Sequence, residues 1–130
     1  MSLLEVEKLI KSYPDGTTAL HGIDFTVEPG EFVAVIGASG AGKSTLLRCI
    51  NRLIVPSGGA VRFLGMNVAA AGGRQVRKLR REVGMIFQQF HLIPRVSVLT
   101  NVLHGRLGYA GILGAFGFYE KQDKKLAAQL

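Results

Sequence analysis

Eight consecutive residues carry the clearest chemistry in this sequence: Gly37-Ala38-Ser39-Gly40-Ala41-Gly42-Lys43-Ser44. They match the pattern G-x-x-x-x-G-K-[ST] in full. Glycines in such a loop let the backbone wrap closely around phosphate oxygens, because they tolerate positive φ and have no Cβ. The loop N–H groups and the start of the following helix then form a nest for an anion. Lys43 can reach the β- and γ-phosphates of a nucleotide, and the Ser44 hydroxyl can ligate Mg²⁺. The competing reading is a glycine-rich turn with an exposed lysine. It leaves unexplained why the motif falls between an apolar run and a helical pattern.

A phosphate loop does not name a reaction, since ATPases, GTPases and small-molecule kinases all use one. The usual second half of the machinery is an acid at the end of an apolar strand, and it is missing. Beyond residue 65 the acidic residues are Glu82, Glu120 and Asp123, and none ends an apolar run. His21, His91 and His104 show no metal-ligand spacing and no nucleophile beside them.

The elements that must position the loop follow from hydrophobic periodicity. Leu4 and Val6 alternate with Glu5 and Glu7, which predicts a strand within 3–13, and Pro14-Asp15-Gly16 is a turn. Residues 18–28 read as a second strand, closed by Pro29-Gly30. Phe32 to Ile36 is an unbroken apolar run, the pattern of a strand buried on both faces of a parallel sheet. After the loop, Leu46, Cys49, Ile50 and Leu53 recur at helical spacing, which points Cys49 into the core as a small hydrophobe. Pro56-Ser57-Gly58-Gly59 reads as a turn before a short strand at 60–64. Residues 73–82 predict a helix with Val76, Leu79 and Val83 inward and Arg74, Arg77, Lys78 and Arg81 outward. Val83 to Phe87 is another strand candidate. Gln88 to Arg95 is a loop, and Ser97 can cap a helix running to about His104. A helix from Glu120 to Leu130 has no closing Gly or Pro, which reads as a chain cut in mid-helix.

Composition narrows the class. The 130 residues are 48% hydrophobic and 19% charged, so the chain is no disordered polyelectrolyte. A single cysteine excludes an intrachain disulfide framework. No apolar run opens the chain as a signal would, and Leu107 to Tyr119 is too short and glycine-rich to span a bilayer as a helix. The net charge of +7 comes entirely from residues 66–130. The Arg74–Arg81 segment lacks the interleaved aromatics that stack nucleic-acid bases, so a solvated helix face is expected and no nucleic acid.

The whole chain resembles the N-terminal half of the ATP-binding cassette (ABC) transporter ATPases. The resemblance rests on Tyr13 before a turn, GASGAGKST at 37–45, PSGG at 56–59 before a strand, and VGMIFQQFHLIPRVSVLTNV at 83–102. Within that family, LLRCINRL at 46–53 and NVLHGRLGY at 101–109 are most similar to the phosphonate-import branch. The resemblance implies an α/β P-loop core with a mostly parallel sheet and an antiparallel N-terminal β layer. It implies a nucleotide-binding core over 1–88, then a Gln-loop and incomplete helical subdomain over 89–130, the C-terminal half of the fold being absent. The nucleotide would be ATP, bound by Tyr13 stacked on adenine and by Gly37, Ala38, Ser39, Gly40, Ala41, Gly42, Lys43, Ser44 and Thr45. Mg²⁺ would be held by Ser44 and Gln88, and catalysis would draw on Lys43 and Gln88. The implied partners are a transmembrane permease, a second copy of the subunit in a homodimer and, indirectly, an extracytoplasmic substrate-binding protein. The implied place is peripheral, on the cytoplasmic face of the cell membrane. The family's LSGGQ-type signature, metal acid, catalytic glutamate and switch histidine have no counterpart in the sequence, so hydrolysis by these 130 residues alone is not expected. The alternatives are an importer of polar amino acids, a different P-loop enzyme such as a nucleotide-dependent kinase, and a basic nucleic-acid-binding module.

Overall fold

The computed structural model describes residues 2–88, 92–109 and 119–129. The chain divides into two compact units, Met1–Leu79 and Arg80–Leu130.

The first unit is built on a four-stranded antiparallel sheet. Its strands are β1 (Leu4–Ser12), β2 (Thr18–Val27), β3 (Gly58–Phe63) and the short β4 (Met66–Asn67), in the order β2-β1-β3-β4. The central strand β1 buries Val6 and Leu9 completely or nearly so. These two residues are three apart, not two, because a bulge interrupts the alternation between them. Lys8 sits in that bulge at φ 42°, and its N–H donates to Asp24 Oδ1 at 2.8 Å. Gly59 lies so close to the Lys8 carbonyl, at φ 77°, that a Cβ there would overlap it. Leu20 from β2, Val61 from β3 and Val68 complete the apolar layer with Leu46 and Cys49.

Ser57 fastens the turn end of the β1–β2 hairpin. The Ser12 N–H donates to Ser57 Oγ at 3.0 Å, and Ser57 Oγ donates back to the Ser12 carbonyl at 3.1 Å. The PSGG segment therefore does turn the chain, and its two glycines already belong to β3. Helix α1 (Lys43–Ile50) rests on β2, with Leu46 and Cys49 buried. Helix α2 (Gly73–Glu82) buries Leu79 and exposes Arg74, Arg77, Lys78 and Arg81, as its periodicity predicts.

Two expected strands are not formed. Phe32 to Ile36 pairs with nothing among the described residues and lies open, with Phe32 91% and Ile36 92% exposed. Val83 to Phe87 forms no regular strand, with Ile86 98% exposed. An apolar run reports what a segment could bury against, but a central strand takes its ladder bonds from a neighbour on each side. Neither segment is a strand of the sheet. The α/β class and the antiparallel layer are present, and no parallel strand pair is formed among the described residues.

The second unit contains α3 (Val98–His104) and α4 (Lys121–Ala127), which pack together. Ser97 caps α3 as expected: its Oγ accepts from the Thr100 N–H at 3.1 Å. Helix α4 covers less than the 120–130 expected for it. Arg106, just past the end of α3, donates from Nε to Asp123 Oδ1 of α4 at 2.8 Å. The GRLGY segment is a stacking cluster: the Tyr109 ring lies 4.1 Å from the Arg106 guanidinium and 4.9 Å from that of Arg81. Most of the glycine-rich stretch behind it lies outside the described residues. No helix among the described residues is long and apolar enough to cross a membrane.

Candidate nucleotide site

The sequence places glycines where the loop must bend into a helix. Gly40 and Gly42 adopt φ 81° and 85°, the left-handed region that side chains disfavour. Gly42 is also pressed against β2, where a Cβ would overlap the Ala19 carbonyl oxygen and meet Leu20 Cδ2 at 3.1 Å. The junction of loop and helix is thus fixed by contact with the sheet as well as by backbone angles. Residues 37–41 are exposed along their whole length.

Lys43 is the first residue of α1 and folds over its own loop. Its Nζ donates to the carbonyls of Gly37 and Ala38, each at 2.7 Å. The ammonium therefore sits inside the loop's curve, with those two carbonyls holding the charge in place. Gly42 provides no side-chain cap for α1, and the first turn carries no acidic residue. The first amides of an eight-residue helix are left to an outside acceptor, and no carboxylate competes for them. This donor set fits the phosphate groups of a nucleotide. Ser44 is exposed on the same turn. The described residues hold no cluster of three His, Cys, Asp or Glu that could bind a metal unaided. A divalent ion would fit here only as the counter-ion of a triphosphate, with the Ser44 hydroxyl as a protein ligand.

Tyr13 belongs to the same neighbourhood. It opens the β1–β2 turn, its N–H donating to the Thr17 carbonyl at 2.8 Å and its carbonyl accepting from the Gly16 N–H at 3.0 Å. Its hydroxyl lies 3.3 Å from Thr45 Oγ1, in the first turn of α1. The predicted base platform and the predicted phosphate loop are therefore joined by a side-chain hydrogen bond. Sequence reasoning missed Lys11, whose Nζ stands 5.2 Å from the Tyr13 ring centroid and donates to the Val55 carbonyl at 2.8 Å. No simple strand alternation announces the contact, because the register slips between Lys11 and Ser12 and Tyr13 lies past the end of β1.

Cys49 is fully buried one turn below Thr45 on α1, and desolvation pushes its thiol above the ordinary value. It is packing, not chemistry. A concavity of about 210 Å³ beside the loop is walled mainly by Leu20, Ile23, Val35, Ile36 and Leu46. Its apolar lining suits a packed side chain better than a phosphate. Gln88, the other predicted site residue, belongs to the second unit, where it is exposed and follows the irregular segment 83–87. Gln89 and His91 lie outside the described residues.

A sequence profile of the ABC transporter family matches residues 20–130. The chain belongs to the ABC transporter family. Among curated ABC proteins it is 50% identical over 129 residues to the phosphonates import ATP-binding protein PhnC 2 of Halalkalibacterium halodurans, covering 98% of this chain and 53% of that protein. It is 46% identical over 129 residues to PhnC of Treponema denticola, covering 98% and 50%. The chain spans about half the length of the curated relatives it matches. Among solved ABC structures, the cassette MJ0796, a dimer in a post-hydrolysis state bound to ADP and Pi, superposes with a TM-score of 0.81 at 29% identity. That match covers 97% of this chain and 54% of the cassette. The chain is the N-terminal part of an ABC ATPase cassette, a nucleotide-binding fold.

Proposed function

We propose that this chain is the nucleotide-holding part of the ATP-binding subunit of a phosphonate importer. The observation that carries the reading is the Gly42–Lys43 junction, where the loop, the uncapped start of α1 and an inward ammonium converge. Residues 37–45 cradle the triphosphate, Lys43 contacts its terminal phosphates, Ser44 and Gln88 hold Mg²⁺, and Tyr13 receives the adenine. Bound there, Mg²⁺ offsets the charge that develops on the phosphates during transfer. Residues 1–88 then form the N-terminal part of the nucleotide core, and 89–130 the Gln-loop with part of a helical subdomain.

In the whole protein two such subunits pair and drive a transmembrane permease from the cytoplasmic face of the membrane. A substrate-binding protein delivers phosphonate on the other side. The names and identity of the PhnC relatives support the phosphonate reading over an importer of polar amino acids. Growth tests it. Residues 1–130 joined to the C-terminal half of a PhnC relative should restore growth on a phosphonate as sole phosphorus source in a strain lacking that ATPase. Failure there, with rescue of an amino-acid importer instead, would reassign the substrate.

A further inference from the structure

We propose that Lys11 is a positioning residue for the nucleotide base: it backs one face of the Tyr13 ring and commits the opposite face to the purine. The inference rests on the reading of Tyr13 as the base platform.

Lys11 is the second-last residue of β1, and Tyr13 follows the strand directly. The register slips between Lys11 and Ser12, and the Lys11 and Tyr13 side chains meet there. The Lys11 Nζ is 5.2 Å from the ring centroid, inside the ~6 Å reach of a cation over an aromatic face. It does not swing freely there. Its bond to the Val55 carbonyl, 2.8 Å long, holds the ammonium over the ring. Val55 belongs to the segment that leaves α1, 44 residues further along the chain. Among the described residues no carboxylate pairs with Lys11. Its charge is therefore held by a ring face and a carbonyl dipole, not by a salt bridge.

The ring is held at two further points. Its backbone sits in the closed Tyr13–Thr17 turn, and its hydroxyl meets Thr45 Oγ1 at 3.3 Å. Stem, edge and one face are thus held, and the second face of this half-buried ring is the one assigned to a flat ligand. A platform already fixed loses little freedom when a base stacks on it. The ammonium also draws π-density toward itself. The far face becomes less electron-rich, which favours contact with an electron-rich purine.

The test compares ATP with inorganic tripolyphosphate, which has no base, by equilibrium titration of the 130-residue chain. Lys11→Met should weaken ATP binding about two- to five-fold, the scale of an exposed cation–π contact, and leave tripolyphosphate unchanged. Lys11→Arg, which keeps a cation, should restore ATP affinity. Lys11→Gln keeps a donor for Val55 without the charge and should behave as Lys11→Met. It replaces that variant if the methionine lowers the melting temperature. ATP should perturb the near-ultraviolet tyrosine dichroism of the wild type and of Lys11→Arg more than that of Lys11→Gln. Unchanged ATP affinity in Lys11→Gln, or equal loss for both ligands, would overturn the proposal. Tyr13→Ala reads the underlying assignment separately. If it leaves the preference for ATP over tripolyphosphate intact, the base is not on Tyr13 at all.

Discussion

Gly42 packs so tightly against Ala19 that a Cβ at position 42 would overlap the Ala19 carbonyl oxygen. The phosphate loop is therefore built onto the antiparallel sheet and does not project freely from it. Gly40 has nearly the same φ but open space around it. The two glycines separate backbone strain from steric contact. Gly40→Ala should cost about 1–2 kcal/mol, the ordinary penalty of a left-handed side chain. Gly42→Ala should cost more, because the backbone must also retreat from β2. Urea unfolding followed by circular dichroism ranks them, and equal losses would show that the Ala19 contact carries no weight.

Lys43→Ala should weaken Mg-ATP binding tenfold or more. A hydrogen bond to a charged group contributes ~1.5–3 kcal/mol, and each ~1.4 kcal/mol is tenfold. The structure adds a second effect. Removing Nζ also frees the Gly37 and Ala38 carbonyls it bridges, so the loop itself should become more susceptible to proteolysis. Titration with a fluorescent ATP analogue reads the first, and limited digestion the second. An unaltered affinity would end the phosphate-cradle reading.

Cys49 gives a pH dependence with a definite sign. Burial raises its thiol above the ordinary value of 9.0, so the folded state keeps a proton that the unfolded chain releases. Stability from this group is intact below about pH 9 and falls as the pH climbs beyond it. Cys49→Ala should lower stability at neutral pH by leaving a small void, yet flatten the decline at alkaline pH. Native protein should also resist alkylation at pH 8 until urea is added. Rapid labelling without denaturant would mean that the thiol is not buried.

Phe32, Ile36 and Ile86 present nearly their whole surface to water. An open apolar surface invites association with another chain. The 130-residue chain should bind a hydrophobic dye and self-associate on concentration, and Phe32→Lys with Ile36→Lys should reduce both. It should show no ATP turnover above the Lys43→Ala control. Monodisperse protein with robust Mg²⁺-dependent hydrolysis would contradict this expectation.

The parts legible in the sequence were those decided locally. The glycine pattern at 37–42, the Ser97 cap and the charged face of α2 each depend on a few neighbouring residues, and the structure has all three. Phe32 to Ile36 was misread because a buried strand depends on partners elsewhere. Its apolar run states a preference without supplying the neighbour. The bulge at Lys8 was invisible for a related reason: Val6 and Leu9 look out of phase until one knows that the chain slips a residue against its partners. The pairing of Lys11 with Tyr13 was hidden by the register slip between Lys11 and Ser12, and its anchor at Val55 by the path of the chain after α1.

The first unit also has a temporal consequence. Lys11, Tyr13, the loop 37–45 and Val55 all precede residue 56, and the last strand of the sheet ends at Asn67. A ribosome releases the N-terminus first, at about 5–20 residues per second. The residues argued to hold base and phosphates are thus complete several seconds before the second unit has emerged. A ligand that binds only the folded form shifts the equilibrium toward it. Cellular ATP would then act on the nascent chain as a folding ligand, with the Tyr13–Thr45 bond closing the hairpin onto α1 while translation continues.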